Sequence, residues 1–413
     1  MNDVDAGAAR RLPRPFRLLW TATAVSNLGD GLRLTALPLL ATSITTDPRA
    51  IAGVAIAERV PWLVFILPGG AWADRLDRRV LRMRLDAARA VVMAGLVLAI
   101  SFDRVTIIVI YVVAALLASA EAVVDSSSMA LVPATVHERD LERAGSRLSS
   151  TELVTNGLVG PPLGGLLFGA AMVLPFGVDA ASFAAAAITM SLLPGSFKPD
   201  TATTGKQAPM RQQIADGFRW FWTRRPLRNL ALISTALGFA GFVGGSVFVL
   251  FATQTLGLSS VGYGLLIVPS AFGGVAGSIL APKLAALPLP LVLGASTVIS
   301  GAATWAVSAS STPVVVAALS ALSTAAVLVW NILTIALRQR VIPDHLLGRV
   351  GASYRFLVYI GMPFGALTGG ILADSFGIRT ALAINGIGLV TIGLVVPYLL
   401  RDIPPPSPSS TPP

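Results

Sequence analysis

Gly70-Ala71-Trp72-Ala73-Asp74-Arg75-Leu76-Asp77-Arg78-Arg79-Val80-Leu81 separates two long apolar runs by one short turn crowded with arginine. A helix needs about 20 apolar residues to cross the roughly 30 Å of hydrocarbon in a bilayer, and the runs on either side of this turn, at about 50 to 72 and 80 to 101, are each long enough. Working outward with the same rule, closing each run at a charge or turn cluster, predicts further spans at about 16 to 41, 105 to 130, 147 to 170, 173 to 194, 229 to 253, 261 to 282, 287 to 308, 313 to 336, 350 to 373 and 379 to 400. The run at 16 to 41 is too long for a signal peptide and carries Asp30 and Arg33 where a signal core is purely apolar, so it reads as a retained helix.

Composition agrees. Only 13% of the 413 residues are charged and 54% are apolar, with a mean hydropathy of +0.74. A soluble domain of this size has to cover its surface with polar groups, so the expected solvent is a bilayer. Cysteine is absent and histidine occurs only as His137 and His345, which excludes thiol nucleophiles, disulfide frameworks and Cys-ligated metal centres. No metal, cofactor or enzymatic activity is expected. A net charge of +10 would suggest nucleic acid in a soluble chain, but here its placement matters more. With the N-terminus in the cytoplasm, 24 of the Lys and Arg residues fall on the cytoplasmic side and only Arg49, Arg104 and Arg379 on the other, leaving Arg33, Arg59, Arg89 and Arg355 inside spans. The positive-inside rule therefore places both termini in the cytoplasm of a multi-pass protein.

The longest polar interruption, Gly195 to Asn229, divides the spans six and six. The halves echo each other: Arg143-Ala144-Gly145 parallels Arg349-Val350-Gly351, and Gly164-Gly165-Leu166-Leu167 parallels Gly369-Gly370-Ile371-Leu372. The expected fold is an all-α membrane protein of twelve transmembrane helices in two pseudo-symmetric six-helix bundles, residues 1–194 and 229–402. They are joined by a cytoplasmic linker, 195–228, and followed by a disordered Pro/Ser tail, 403–413. Within the linker, Ile214, Phe218, Phe221 and Trp222 recur at helical spacing among arginines, the pattern of an interfacial amphipathic helix against membrane lipid.

The quoted turn resembles the loop signature of the major facilitator superfamily, Gly-x-x-x-Asp-Arg-x-Gly-Arg-Arg, with Asp77 standing where the family usually has Gly. Gly160-Pro161-Pro162-Leu163-Gly164-Gly165 resembles the Gly-Pro-x-x-Gly-Gly element of the antiporter and drug-exporter branch. Ser26-Asn27-Leu28-Gly29-Asp30-Gly31, with Leu131-Val132-Pro133 and Leu141-Glu142-Arg143-Ala144, is similar to the branch holding enterobactin exporters and macrolide efflux proteins. The resemblance implies a conformational gate at Gly70, Asp74, Arg75, Arg78 and Arg79, with Asp74 locking helix 2 against helix 11 in the outward-open state. Read from its residues alone, the motif is also an ordinary positive-inside turn whose carboxylate pairs with Arg or caps a helix end. For Gly160, Pro161, Gly164 and Gly165 the resemblance implies a bend that biases the cycle toward export; the residues themselves imply close helix packing and a disturbed hydrogen-bond ladder.

Charges inside a bilayer are costly and usually face a cavity or a partner. Asp30 and Arg33, Glu58, Glu121 and Glu152 are the expected proton-coupling residues. Asp30 is placed deepest, about 20 Å in from Arg17 at about 1.5 Å per residue, and Glu58 enters the same region from the opposite face. For Asp86, Asp125 and Asp179 the expectation is a structural pair with a nearby Arg. Spans seven to twelve hold no acid except Asp374 at a margin, and helix four lacks the Arg that some proton-coupled relatives carry early in that span. Trp62, Phe65, Tyr263, Trp305, Trp330, Tyr359, Asn331 and Arg355 are candidates to line a substrate cavity, with bulk packing as the alternative.

No Lys-Ser or Lys-Thr pair follows the glycine clusters, so no nucleotide loop is read. The expectation is a monomeric secondary transporter of the bacterial plasma membrane that exports amphiphilic small molecules, drug, siderophore or secondary metabolite, by proton antiport. An importer of nutrients or metabolites on the same fold, and a membrane receptor without transport, are the competing readings.

Overall fold

The computed structural model describes residues 12–73, 76–195, 197–198 and 217–402; within helices, the side chains of 66–73, 344, 345 and 347–349 are also left undescribed. Among the described residues there are twelve long helical segments: α1 (Arg14–Ile44), α2 (Pro48–Ala73), α3 (Arg78–Ser101), α4 (Ile107–Thr135), α5 (Glu138–Ala170), α6 (Leu174–Ser191), α7 (Arg225–Thr255), α8 (Ser260–Leu284), α9 (Leu289–Ala309), α10 (Pro313–Val341), α11 (Asp344–Phe376) and α12 (Ile378–Leu399). No strand occurs among the described residues. Nine of the twelve, α4 to α12, are long and apolar enough to cross a membrane. The other three are the helices that carry Asp30, Arg33, Glu58, Arg59, Asp86 and Arg89.

The helices start and stop where local chemistry dictates. Thr106 accepts the Val109 amide at the start of α4, and Ser259 accepts the Gly262 amide at the start of α8, each supplying a partner for an amide the helix itself leaves orphaned. Gly377, at φ 85°, turns the chain between α11 and α12, a backbone conformation open to glycine at no steric cost. α5 begins well before the apolar run that predicted it, because the polar stretch from Glu138 continues the same helix. Its middle, Leu153–Val159, is π-helical. Pro161 and Pro162 follow directly and bring no amide to the ladder, and the Gly160 amide reaches back five residues to the Thr155 carbonyl. A second π segment, Phe251–Thr255, ends α7.

In the first half of the chain α1 packs on α5 and α6, α2 on α4, and α3 on α4 and α6; in the second, α7 packs on α11, α8 on α10, and α9 on α10 and α12. The halves meet where α2 lies against α11 and α5 against α8. Val91, Ile108 and Leu394, at 71%, 67% and 69% exposure, lie on the outside; lipid is the solvent that makes such a surface inexpensive. In the linker only 217–222 is a described helix, and Ile214 lies outside the described residues. Phe221 is buried in the second-half core while Phe218 and Trp222 stack face to face at 4.9 Å. The expected lipid-facing stripe is therefore split, one ring anchoring the linker to the protein. The tail 403–413 lies outside the described residues.

Candidate functional site

Four carboxylates converge on one guanidinium. Arg33 of α1 lies 3.0 Å from Asp30 one turn before it, 3.3 Å from Glu58 of α2, 3.3 Å from Glu121 of α4 and 4.0 Å from Asp179 of α6. Asp30 is held a second time, at 2.6 Å, by Arg89 of α3. Arg89 in turn donates to Ser26 Oγ, stacks its guanidinium 3.8 Å from the centre of the Phe183 ring, and lies 3.6 Å from Asp86. Arg82 closes the chain, 3.5 Å from Asp86 and donating to Ser128 Oγ at 2.7 Å. Arg82 was expected in the solvated basic turn. It is instead 1% exposed, because α3 begins before it and turns it inward onto Asp86.

Two kinds of acid emerge from this network. Asp30, Asp86 and Asp179 are enclosed, whereas the Glu58 and Glu121 side chains keep 31% and 30% exposure. Glu58 and Glu121 line a cavity of about 500 Å³ together with Asp30, Arg33, Trp62 and Glu152. Glu152 is exposed into it from α5, next to the π segment. The five expected proton-coupling residues, Asp30, Arg33, Glu58, Glu121 and Glu152, are thus brought together around one space. Asp86 and Asp179 have arginine neighbours as expected, but Asp179 belongs to the same cluster as Asp30. Asp125 departs from the expectation: it is exposed and makes no ion pair among the described residues. Arg89 stands in the sequence among the in-span charges without a specific role, and its spacing from Asp86 on one helix face is the signal that points to the pair.

The basic turn is held by backbone carbonyls. Asp77 Oδ1 accepts the Arg79 and Val80 amides at 3.0 and 3.4 Å and so caps α3, while its Oδ2 accepts the Phe197 amide at 3.3 Å. The departure from Gly is therefore a helix cap. Arg79 donates to the Met190, Ser191 and Gly195 carbonyls at the end of α6, and Arg78 to the Ala130 carbonyl of α4, which satisfies acceptors that helix ends leave open. Asp74 and Arg75 lie outside the described residues, as does the environment of Gly70.

The Gly-Pro element faces two ways. A Cβ on Gly160 would sit 2.5 Å from Gly31 Cα, and one on Gly164 2.5 Å from the Leu32 carbonyl, so this face holds α5 against α1. A Cβ on Gly165 would collide with the Ser260 carbonyl of α8, and Pro161 lies under Gly264 of the same helix. The small residues thus set both an intra-half and an inter-half contact. On the same side of the molecule, remote from the basic turn, Arg49 at the start of α2 pairs with Asp374 at the end of α11.

A second cavity, of about 610 Å³, lies in the second half and includes Trp330 and Asn331 in its lining. Trp62 and Tyr359 meet edge to face at 6.4 Å across the halves. Phe65 is partly buried, and Arg355 is exposed on α11; neither borders the two cavities. Tyr263 and Trp305 correct the sequence expectation. Tyr263 is 6% exposed inside the apolar core and Trp305 is 52% exposed with its backbone against Gly386, so close helix packing sends one ring inward and the other away from both cavities.

A charged interior cavity within an all-helical bundle of membrane-crossing length defines a transporter. The chain belongs to the family described as transmembrane secretion effector, within the major facilitator superfamily, which it matches over residues 12–405. It is a membrane transporter and not an enzyme. Among its relatives, the multidrug efflux pump Tap of Mycobacterium tuberculosis (strain ATCC 25618 / H37Rv) is 26% identical over 412 residues, covering 94% of each chain. Two solved structures share the fold. One is a mutant form of the nucleoside transporter NupG, with a TM-score of 0.79 at 12% identity over 94% of this chain and 100% of that one. The other is an inward-facing, unoccupied bacterial homologue of the human lysosomal transporter Spinster, with a TM-score of 0.76 at 16% identity over 94% and 98%.

Proposed function

We propose that this chain is a secondary active exporter of amphiphilic small molecules, working by proton antiport and alternating access in a bacterial plasma membrane. Twelve spans form two six-helix bundles, 1–194 and 229–402, that rock about their contacts, with both termini cytoplasmic and the monomer as the working unit. The observation that carries the reading is the sharing of Arg33 among Asp30, Glu58, Glu121 and Asp179 beside an accessible cavity. With Asp86, the connected network sets five carboxylates against Arg33, Arg82 and Arg89. An excess of negative charge inside a bilayer is costly, and uptake of a proton, or of a cationic group on the cargo, lowers it. Similarity to a multidrug efflux pump along 94% of the chain supports export of drug-like cargo. A chain without a nucleotide loop needs a gradient for this work.

In this reading Glu58 and Glu121, which reach the cavity, exchange the proton. Asp30, held by two guanidiniums, keeps Arg33 and Arg89 in place. Closure between α2 and α11 and between α5 and α8 seals the external side, leaving the basic side open to the cytoplasm. Vesicles of reconstituted protein, loaded with a fluorescent amphiphile and given an imposed pH step, test the proposal. Wild type is expected to accumulate the dye against its gradient, and Glu121→Gln to bind it with unchanged affinity but lose at least tenfold of the pH-driven rate. Accumulation by wild type that persists after the proton gradient is collapsed would overturn proton coupling.

A further inference from the structure

The cavity of the second half differs in chemistry from the charged one. Ser296, Thr297 and Ser300 of α9, Ser323 and Thr324 of α10 and Asn385 of α12 line it, with apolar walls that include Leu237, Phe248 and Trp330. Most of the hydroxyl protons are already committed. Ser296 and Thr297 both donate to the Leu293 carbonyl at 2.9 Å, Thr324 donates to the Ser320 carbonyl at 2.9 Å, and one of Ser300 and Ser323 donates to the other at 2.8 Å, leaving the accepting hydroxyl one free proton. A hydroxyl keeps acceptor lone pairs after its proton is spent, so these walls present mainly acceptors. The amides of Asn331 and Asn385 are the exceptions, and Asn385 is the buried one of the two. It is 8% exposed, borders the cavity, and makes no hydrogen bond with a described residue. Its amide nitrogen stands over Gly244, where a Cβ would lie 3.1 Å away, so the missing side chain is what gives the amide room.

Charge narrows the ligand further. The one charged group in the described lining is Arg338, which donates to the Thr334 carbonyl and lies 3.9 Å from the centre of the Tyr354 ring. A cation entering this space would be desolvated beside a guanidinium with no carboxylate to pair it, and an anion would meet a wall of acceptor lone pairs. A neutral molecule rich in hydroxyl donors, with an apolar body for the remaining wall, satisfies both constraints, and about 610 Å³ lies within the range of small-molecule sites. The two cavities adjoin through Phe242, which lines this one and lies 5.1 Å from the guanidinium of Arg59, a residue lining the other.

We infer that the second half carries a binding site of its own, centred on Asn385, Ser300 and Ser323, for an uncharged hydroxyl-rich amphiphile such as a glycoside. The inference rests on the exporter reading only in naming this ligand as cargo. Equilibrium binding of radiolabelled phenyl β-D-glucoside to the full chain in lipid nanodiscs, with no gradient applied, tests it. Wild type is expected to bind the glucoside; phenyltrimethylammonium and phenyl phosphate, which share the ring but carry charge, are expected not to compete. Asn385→Leu should weaken binding at least tenfold, Ser300→Ala several-fold, and Asn385→Gln less than Asn385→Leu. Ser300→Ala removes a single hydroxyl and serves if Asn385→Leu does not fold. Absence of binding by wild type, equal binding by wild type and Ser300→Ala, or equal competition by the charged aryl compounds would overturn it. Because no transport is measured, the site can fail while proton-driven export stands, and the reverse.

Discussion

The two halves of this chain share one helical plan and solve opposite electrostatic problems. The first half encloses Asp30, Arg33, Asp86, Arg89 and Asp179 in a continuous ion-pair network. The second half surrounds its cavity with hydroxyls and two amides, and the single charge in the described lining sits near the end of α10. A buried charge requires a partner, and the partner must be placed by other helices, so the first half is locked by contacts among five helices, α1, α2, α3, α4 and α6. Most serines and threonines of this cavity spend their protons on their own helix, the bond between Ser300 of α9 and Ser323 of α10 being an exception. The second half can therefore offer polar surface with few bonds that fix its helices to one another. Similar folds thus produce one cavity lined by carboxylates and arginines and another lined mainly by hydroxyls, amides and apolar side chains.

Removing the central guanidinium of the charged half gives the largest effect. Arg33→Leu leaves four carboxylates facing one another, and breaking a buried pair costs about 3 to 5 kcal/mol, so thermal unfolding in lipid should show a strongly destabilised protein. Arg338→Leu, the counterpart in the second half, should fall within about 1 kcal/mol of wild type, the range of a single hydrogen bond to a helix end. Equal losses from the two changes would break the comparison.

Adjacent glycines separate packing within a half from packing between halves. A methyl on Gly164 meets the backbone of α1, and overpacking of this kind costs about 1 to 3 kcal/mol. Gly164→Ala is thus expected to lower the unfolding temperature, and Gly164→Val to lower it further. Gly165→Ala points its methyl at α8 across the halves. The expected result is near-normal unfolding with increased labelling of single cysteines placed on the external side, which the native chain, having no cysteine, makes easy to read.

The smallest effect belongs to Arg49 and Asp374. Their side chains are 55% and 39% exposed, and a solvated pair contributes only about 0.2 to 1 kcal/mol. Arg49→Ala should shift the labelling of the two access states by no more than about fivefold, as high salt should. The exchanged pair, Arg49→Asp with Asp374→Arg, should restore the wild-type pattern, and a shift larger than tenfold would make this contact a gate in its own right.

Nine of the spans read from hydropathy coincide with described helices long and apolar enough to cross a membrane, because bilayer thickness imposes a length that composition alone records. The turn at Asp77 was harder to read, since a carboxylate among arginines looks like an ion-pair partner whether or not it caps a helix. Tyr263 and Trp305 show the same limit for aromatics: which face a ring occupies depends on how two helices cross, and both faces of these helices are apolar. The serine and threonine positions of α9 and α10 left no sequence signal, because scattered hydroxyls in an apolar helix are ordinary until several helices turn them toward one space.

The amino-acid sequence by itself determined the solvent and the family of this protein. Those depend on sums along the chain: apolar length and short motifs in order. Only the tertiary structure decided which acids share Arg33, that Asp30 is held twice while Glu58 and Glu121 reach the cavity, and that Gly164 and Gly165 serve different contacts. Ion pairing and close approach act over a few ångströms between residues as far apart as Arg33 and Asp179, and such distances come into being only when the helices are packed.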